Sequence, residues 1–328
     1  MKILITGGSG FIGAHLAKHC SHNGHEVHIC DNNSRGRNDE FIADLVENYS
    51  VVVKTLDLTK ETELKSLPKD YDIVFHLAAI NGTANFYNIP YTVMEVAIQS
   101  TINLLSHFKG TKVKFVFSSS SEAYAGSIKI NPLLIPTSED VPCTIEDVLN
   151  ERFSYGGSKL ACEIMINSFH KQYGLDYQII RYHNIYGPRM GTKHVIPQFI
   201  KRAKDNDDHF LVFGATQTRA FCYVDDAVRA TLSLGLSSHQ GIFHIGNDKE
   251  EIDILSVAKI INQWYKNDGI EYVIESAPPG SVPRRCPDTS KIHKEINYSP
   301  RICLQAGLKK TLEWYDKWYD NNDVTGLL

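Results

Sequence analysis

Residues 2–24 read KILITGGSGFIGAHLAKHCSHNG, in which a short apolar run is followed by three spaced glycines and a helical stretch. Gly7 lets the chain turn sharply, Gly10 lets the backbone approach a pyrophosphate, and Gly13 lets the helix pack closely on the strand. The free N–H groups at the N-terminus of that helix face the phosphates. The stretch therefore predicts a strand, a phosphate-binding loop and a helix that open a dinucleotide-binding fold.

Similar apolar strands recur between helical stretches along the chain. They are predicted at residues 2–6, 26–30, 51–55, 72–76, 113–118, 177–181 and 241–245. Such alternation indicates parallel strands joined by crossover helices, and runs such as VVVK and KFVF are apolar enough to be covered on both faces. The sequence thus predicts an α/β fold with a doubly wound parallel sheet.

The later part of the chain is interrupted by proline and glycine at YGPRM, APPGSVPRR and NYSPR. We predict a smaller, interleaved C-terminal substrate domain there. It comprises residues 184–240 and 247–328, whereas residues 1–183 and 241–246 form the domain that contains the sheet.

Charge and cysteine content narrow the possible partners. The 328 residues include 34 Lys and Arg against 38 Asp and Glu, which gives a formal net charge of −4. This balance argues against a nucleic-acid partner or a polybasic membrane surface. No apolar run reaches the roughly 18 residues of a membrane-spanning helix, and the seven cysteines include no C-x-x-C pair. We expect a cytoplasmic protein with reduced cysteines and no membrane partner.

Histidines are frequent near the first helix, where His15, His19 and His22 have helical spacing. A zinc site needs a complete set of nitrogen, sulfur or carboxylate ligands. No carboxylate or cysteine cluster accompanies these histidines, so we predict no metal site.

Asp31 ends the second predicted strand, 18 residues after Gly13. A carboxylate at this place accepts hydrogen bonds from the adenosine ribose and repels a 2′-phosphate, which favours NAD over NADP. Arg35 and Arg37 follow closely and are able to accommodate a phosphate. The sequence therefore predicts NAD as the cofactor, and NADP stays an open alternative.

A tyrosine and a lysine lie one helical turn apart in SYGGSKLACEIMINSF, after a strand that runs into four serines at SSSSEAY. The spacing of Tyr155 and Lys159 puts both side chains on one helix face. An ammonium group there lowers the pKa of the phenol and lets the phenolate take a hydroxyl proton as a hydride leaves. The pair therefore predicts an oxidation of an alcohol with a nicotinamide cofactor.

The motifs together resemble the extended short-chain dehydrogenase/reductase family of NAD-dependent nucleotide-sugar epimerases and dehydratases. The matching segments are TGGSGFIG, Asp31, Asp57-Leu58, HLAA, SSSSEAY, YGGSK, RYHNIYGPRMG, TRAFCYVDD and PRRCPDTSKI, in family order over nearly the whole chain. The resemblance implies a Rossmann-type sheet, NAD as the cofactor, a nucleotide sugar as the substrate and a homodimer. One departure is Ala125, where the family commonly has glycine after the motif tyrosine.

Site residues are carried over from the family by position. The resemblance implies catalytic roles for Ser120, Glu122, Tyr155 and Lys159. It implies cofactor binding by Gly7, Gly10, Phe11, Ile12, Gly13, Asp31, Asn32, Asp57, Leu58, Leu77, Ala78, Ala79, Ser118, Tyr155 and Lys159. It implies substrate binding by Ser120, Asn184, Arg219 and Arg285, and an arginine fork suits a diphosphate.

The resemblance leaves the reaction open beyond a first oxidation at sugar C4 to a 4-keto intermediate. In the dehydratases an acidic residue at the place of Glu122 removes the C5 proton, whereas epimerases of the galactose type need no such base. A 4-dehydrogenase and a UDP-glucuronate decarboxylase are further alternatives, and a dinucleotide-sensing regulator without catalysis is an alternative of another class. Residues 80–90 contain no arginine, so we expect a dehydratase or epimerase that acts on a neutral hexose or heptose nucleotide.

Overall fold

The computed structural model describes residues 1–131, 134–205, 209–267 and 269–321. The strands are β1 (Lys2–Thr6), β2 (Glu26–Asp31), β3 (Val52–Thr55), β4 (Ile73–His76), β5 (Lys114–Ser120), β6 (Asp176–Tyr182), β7 (Ile185–Tyr186), β8 (His209–Phe213), β9 (Thr218–Ala220), β10 (Cys222–Tyr223), β11 (Gly241–Ile245), β12 (Glu251–Asp253), β13 (Glu271–Glu275) and β14 (Arg284–Arg285). The helices are α1 (Phe11–His22), α2 (Glu40–Tyr49), α3 (Glu61–Leu64), α4 (Thr83–Asn88), α5 (Pro90–His107), α6 (Ala125–Ile130), α7 (Phe153–Tyr173), α8 (Val195–Asp205), α9 (Val224–Leu236), α10 (Ile254–Trp264), α11 (Ser290–Ile296) and α12 (Leu304–Asn321).

A parallel sheet forms the centre of the molecule, with the strand order β3-β2-β1-β4-β5-β6-β11. The predicted doubly wound sheet is confirmed, and each predicted strand is present with ends that shift by at most two residues. The chain runs outward in one direction from β1 and in the other from β4. Ligands of such sheets bind where this strand order reverses, beyond the carboxyl ends of the strands.

Alternate side chains of the strands enter two apolar layers. On one face of the sheet, Ile3 and Ile5 pack in the same apolar cluster as residues of α1, α2 and α9. On the other face, Leu4 packs in the same cluster as residues of α3, α5 and α7. This burial on both faces explains why the strands are apolar throughout rather than alternating with polar residues.

The segments on either side of β11 form small sheets instead of extending the central one. These sheets are β7 with β10, β12-β9-β14, and β8 with β13. β11 itself pairs with β6 in parallel. The predicted domain boundaries stay a prediction, and residues 206–208, 268 and 322–328 of the predicted substrate domain lie outside the described residues.

A buried ion pair ties α7 to the central sheet. The Nε and Nη2 atoms of Arg181 on β6 donate to Glu163 on α7 over 3.0 and 2.7 Å. The hydroxyl group of Ser119 on β5 donates a hydrogen bond to the same carboxylate over 2.5 Å. The side chains of Glu163 and Arg181 are only 4% and 2% exposed, so the pair fixes the helix that carries Tyr155 and Lys159 without access to water.

Replacing Glu163 tests the importance of this pair. Glu163→Ala leaves the charge of Arg181 buried and unpaired, so we expect the free energy of unfolding to fall by about 3 to 5 kcal/mol. Urea unfolding measures the change. The control is Glu313→Ala, which breaks the exposed Lys309–Glu313 pair of α12 and should change stability by no more than about 0.5 kcal/mol. Equal effects of the two substitutions would show that the buried pair does not hold α7.

Candidate active site

The predicted site residues come together in one cleft of about 880 Å³ at the carboxyl ends of the central strands. Every residue predicted for the cofactor, the substrate or the chemistry lines it. The cleft lies where the sheet order reverses between β1 and β4, which is the place that the fold makes available to a dinucleotide.

The phosphate-binding loop leaves no room for side chains at two of its glycines. A Cβ atom on Gly7, which has a φ of +68°, would lie 2.7 Å from the backbone nitrogen of Ala78. A Cβ atom on Gly13 would lie 2.3 Å from the carbonyl oxygen of Gly7. The N-terminus of α1 thus packs directly under the turn, with its N–H groups at the cleft.

Asp31 organises the adenosine end of the cleft. Its carboxylate accepts hydrogen bonds from the backbone N–H groups of Ser9, at 3.0 Å, and of Asn33, at 2.9 Å. Burial raises the pKa of Asp31, and these backbone hydrogen bonds oppose the rise. The guanidinium of Arg37 lies 5.0 Å from the ring of Trp318. The pocket beside Asp31 therefore fits a ribose with a free 2′-hydroxyl, as NAD has.

Ser120 and Tyr155 both line the centre of the cleft, where Ser120 opposes the rise in the pKa of Tyr155. The tyrosine ring stacks on Phe86 of α4, with 4.9 Å between ring centroids and 13° between the planes. The Ser120 hydroxyl oxygen also accepts the backbone N–H of Glu122 over 3.2 Å. The stacking on Phe86 thus positions the Tyr155 hydroxyl, and the Glu122 N–H positions the Ser120 hydroxyl; both groups would contact the sugar.

Lys159 lies one turn further along α7 and donates from Nζ to the carbonyl oxygen of Ser118 over 2.7 Å. Burial lowers the pKa of Lys159 to about 8. Burial also raises the pKa of Tyr155, the charge of Glu122 adds to the rise, and Ser120 and Arg35 oppose it. The sequence predicted that Lys159 lowers the pKa of this phenol, but among the described residues the opposing groups are Ser120 and Arg35.

Glu122 is held between two arginines. Its Oε1 atom accepts from Nη1 of Arg285 over 2.9 Å and from Nη2 of Arg152 over 3.3 Å. Burial would raise the pKa of Glu122, but the charges of Arg285 and Arg152 outweigh it and hold this pKa below its usual value. Arg219 completes the group from β9, next to Arg285 on β14. Burial and the charge of Arg285 lower the pKa of Arg219 to about 9.

Two guanidinium groups near Glu122, those of Arg152 and Arg285, have buried nitrogen atoms without a hydrogen-bond partner among the described residues. These are the Nε atom of Arg152 and the Nε and Nη2 atoms of Arg285. Three cations thus face one carboxylate at the sugar end of the cleft, and the surplus donors suit an anionic ligand. The sequence analysis missed Arg152, whose only signal is its place three residues before Tyr155.

Ala125 and Gly156 each occupy their positions for a structural reason. Ala125 begins α6 with a φ of −57°, a right-handed conformation that needs no glycine. In YGGSK, a Cβ atom on Gly156 would lie 2.5 Å from the carbonyl oxygen of Glu122. This glycine lets α7 pack directly against the segment that carries Glu122.

The histidines of α1 do not form a metal site. His15 packs between Phe11 and Phe41, and its Nε2 atom lies 3.0 Å from the carbonyl oxygen of Pro188. Burial lowers the pKa of His15 to about 4. Within the described ranges, the structure contains no group of three or more His, Cys, Asp or Glu residues arranged to hold a metal ion.

The NAD dependent epimerase/dehydratase family model matches residues 3–246. The chain belongs to this family. It is 35% identical to the UDP-N-acetyl-alpha-D-glucosaminuronate decarboxylase of Bacillus cytotoxicus, over 96% of this chain and 97% of the relative. The UDP-glucose 4-epimerase of Thermotoga maritima matches with a TM-score of 0.85 and 29% identity, over 97% of this chain and 99% of that chain. The UDP-glucuronic acid 4-epimerase of Bacillus cereus, solved with UDP-glucuronic acid and NAD, matches with a TM-score of 0.83 and 28% identity, over 97% of this chain and all of that chain.

As a family member the protein is an NAD-dependent nucleotide-sugar enzyme whose cofactor is NAD. The glycine turn, the carboxylate of Asp31 and the cleft volume fit that cofactor. When bound, NAD would supply the acceptor for a hydride from the sugar carbon. Among the described residues, no helix is long and apolar enough to cross a membrane.

Substituting the central tyrosine separates chemistry from binding. Tyr155→Phe keeps the stacking on Phe86 but removes the group that takes the proton, so we expect kcat to fall at least about 100-fold while the bound NAD is retained. The assay is turnover with UDP-sugars, together with the NAD content of the purified protein. Full turnover in this variant would contradict the role of Tyr155, and a sensor without catalysis would show no turnover in the parent protein either.

Proposed function

We propose that the protein is a nucleotide-uronate decarboxylase, which oxidises the sugar at C4 and then releases the C5 carboxylate as carbon dioxide. The observation that carries the proposal is the ion pairing of Glu122 with the buried Arg152 and Arg285. This pairing affects both the base strength of Glu122 and the charge of the pocket.

A glutamate held by two arginines is a poor base. Its pKa is lowered, so it has little tendency to remove the C5 proton that a dehydratase must take. Loss of carbon dioxide needs no such proton removal, because the C5–C6 bond supplies the electrons. The state of Glu122 therefore favours decarboxylation over the dehydration expected from the sequence.

The charge of the cluster favours an acidic sugar. The expectation of a neutral hexose rested on the lack of arginine in residues 80–90, but Arg152 and Arg285 reach the cleft from other segments. A neutral sugar would leave buried guanidinium N–H groups unpaired, which costs free energy. The substrate diphosphate and a uronate carboxylate together would pair Arg219, Arg285 and Arg152.

The chain's own residues have defined parts in this reaction. Ser120 holds the C4 hydroxyl. Tyr155 takes the hydroxyl proton once it is ionised, which the positive charge of bound NAD would favour, and the hydride of C4 would pass to NAD as C4 becomes a ketone. The 4-ketone then accepts the electrons of the breaking C5–C6 bond, so that carbon dioxide leaves and an enolate forms over C5, C4 and O4. Ser120 and Tyr155 stabilise the enolate oxygen by hydrogen bonding. A proton from water added at C5 restores the 4-ketone. The hydride would then return from the reduced cofactor to C4 and the proton held by Tyr155 returns to O4, which gives the nucleotide pentose.

The mass of the product tests the proposal. Incubation with UDP-glucuronic acid, UDP-N-acetylglucosaminuronic acid, UDP-glucose and UDP-N-acetylglucosamine should give a product lighter by carbon dioxide from an acidic sugar only. A product lighter by water, or an isomer of unchanged mass, would contradict decarboxylation and support a dehydratase or an epimerase.

Arg152→Met should lower kcat/KM for the acidic sugar about 10- to 100-fold. The matched control is Arg284→Met, since Arg284 pairs with Glu251 outside the cleft.

We further propose a homodimer built on α5 and α7. Both helices expose large apolar side chains, which are Tyr91, Met94, Ile102, Ile164 and Tyr173. Ile102 and Ile164 are 39% and 61% exposed. An apolar face of this kind on two adjacent helices suits a copy of itself across a two-fold axis.

Light scattering tests the dimer. The parent protein should have the mass of two chains, and Ile164→Lys should shift it to one chain by placing a charge in the interface. The matched control Lys171→Ile changes an exposed residue of the last turn of α7 and should leave the mass unchanged. A monomeric parent protein would overturn this arrangement.

We also propose that the two parts of the chain bind different ligands. The sheet-containing part with residues 241–246 would bind NAD, and the segments around it would bind the nucleotide sugar. All seven cysteines are free, which agrees with the cytoplasmic location that we propose.

A further inference from the structure

Two of the cations that line the cofactor half of the cleft, Arg189 and Lys159, are engaged by neighbouring residues. Arg189 donates from Nε and Nη2 to Asp39 over 2.8 and 2.9 Å and also reaches the carbonyl oxygens of Ser9 and Gly10. Lys159 donates to Ser118. These side chains hold the loops around the cofactor together and have little capacity left for its pyrophosphate.

Arg35 differs from them. It lines the cleft and makes no hydrogen bond or ion pair with any residue that the structure describes, while its charge acts on the phenol of Tyr155. It lies on the loop after β2, next to Gly36, where a Cβ atom would lie 2.8 Å from Cβ of Ser9. The backbone of Arg35 is thus adjacent to the phosphate-binding loop.

The side chain of Arg35 crosses the groove to the opposite walls. Its Nη2 atom would lie 3.8 Å from a Cβ atom on Gly82 and 3.9 Å from one on Gly191. Burial and the neighbouring charge of Arg35 lower the pKa of His194 to about 4. The guanidinium therefore spans the groove between its two walls and does not lie beside Asp31, where a 2′-phosphate would be bound.

We infer that Arg35 is a clamp for the pyrophosphate of NAD, binding it from the side opposite the N-terminus of α1. The helix supplies partial positive charge and N–H groups from below. The full positive charge of Arg35 would complete the neutralisation of the pyrophosphate, and its planar guanidinium suits two phosphate oxygens. The clamp is independent of the reaction that follows, because every member of the proposed set of reactions needs the same cofactor.

Two ligands of this cleft carry a diphosphate, so the test must distinguish them. In protein freed of bound nucleotide, calorimetry gives the dissociation constants of ADP-ribose, which carries the cofactor's pyrophosphate, and of UDP, which carries the substrate's. Arg35→Gln should weaken ADP-ribose about 10- to 100-fold and speed the release of NAD from the holoenzyme by a similar factor. UDP binding should change less than about twofold, and Arg35→Lys should restore part of the ADP-ribose affinity.

The matched control is Arg284→Gln, which removes one positive charge outside the cleft and should leave all three measurements unchanged. Weakened UDP binding with normal ADP-ribose binding would overturn the inference and assign Arg35 to the substrate. Unchanged binding of both ligands would overturn it as well. A loss confined to NADP, with NAD and ADP-ribose unaffected, would show that Arg35 is a ligand for a 2′-phosphate instead.

Discussion

The carboxylate of Glu122 joins three segments that are far apart in the sequence. Glu122 follows β5, Arg152 precedes α7, and Arg285 lies on β14 near the end of the chain. The pairing brings the sheet that carries Ser120, the helix that carries Tyr155 and the C-terminal sheets to one point. Because both arginines are buried and only partly satisfied, this point fixes the shape of the sugar pocket and also its charge.

The cofactor half depends on a second connection between distant segments. Arg189, which follows β7, binds Asp39 together with the carbonyl oxygens of the phosphate-binding loop. The loop after β2 is thereby held over the N-terminus of α1. Arginines from outside the first strands therefore contribute to both the cofactor end and the sugar end of the cleft.

Much of the fold was predictable because its signals are local. The strands are continuous apolar runs, and Gly7 and Gly13 are required by contacts of 2.7 and 2.3 Å that any side chain would violate. The spacing of Tyr155 and Lys159 likewise determines a shared helix face. All these features depend on neighbours in the sequence or on the regular geometry of a strand or helix.

The sugar end was less predictable because its charges meet only in the folded chain. Nothing local to Arg152 indicates that it contacts Glu122, and the absence of arginine from residues 80–90 suggested a neutral sugar. The ionisation of Glu122 also depends on Arg285, which is 163 residues away in the sequence. Spacing patterns therefore predicted the first oxidation, whereas the step that follows depends on long-range pairing of charges.

Recognition of a sugar carboxylate by this cluster can be measured by comparing the binding of an acidic and a neutral nucleotide sugar. Calorimetry on the Tyr155→Phe protein, which stops turnover, gives the affinities of UDP-glucuronic acid and UDP-glucose, two ligands that differ only at C6. We expect at least about 10-fold tighter binding of the acidic ligand, and loss of this difference in the Arg152→Met background. Equal affinities, or a preference for UDP-glucose, would contradict it.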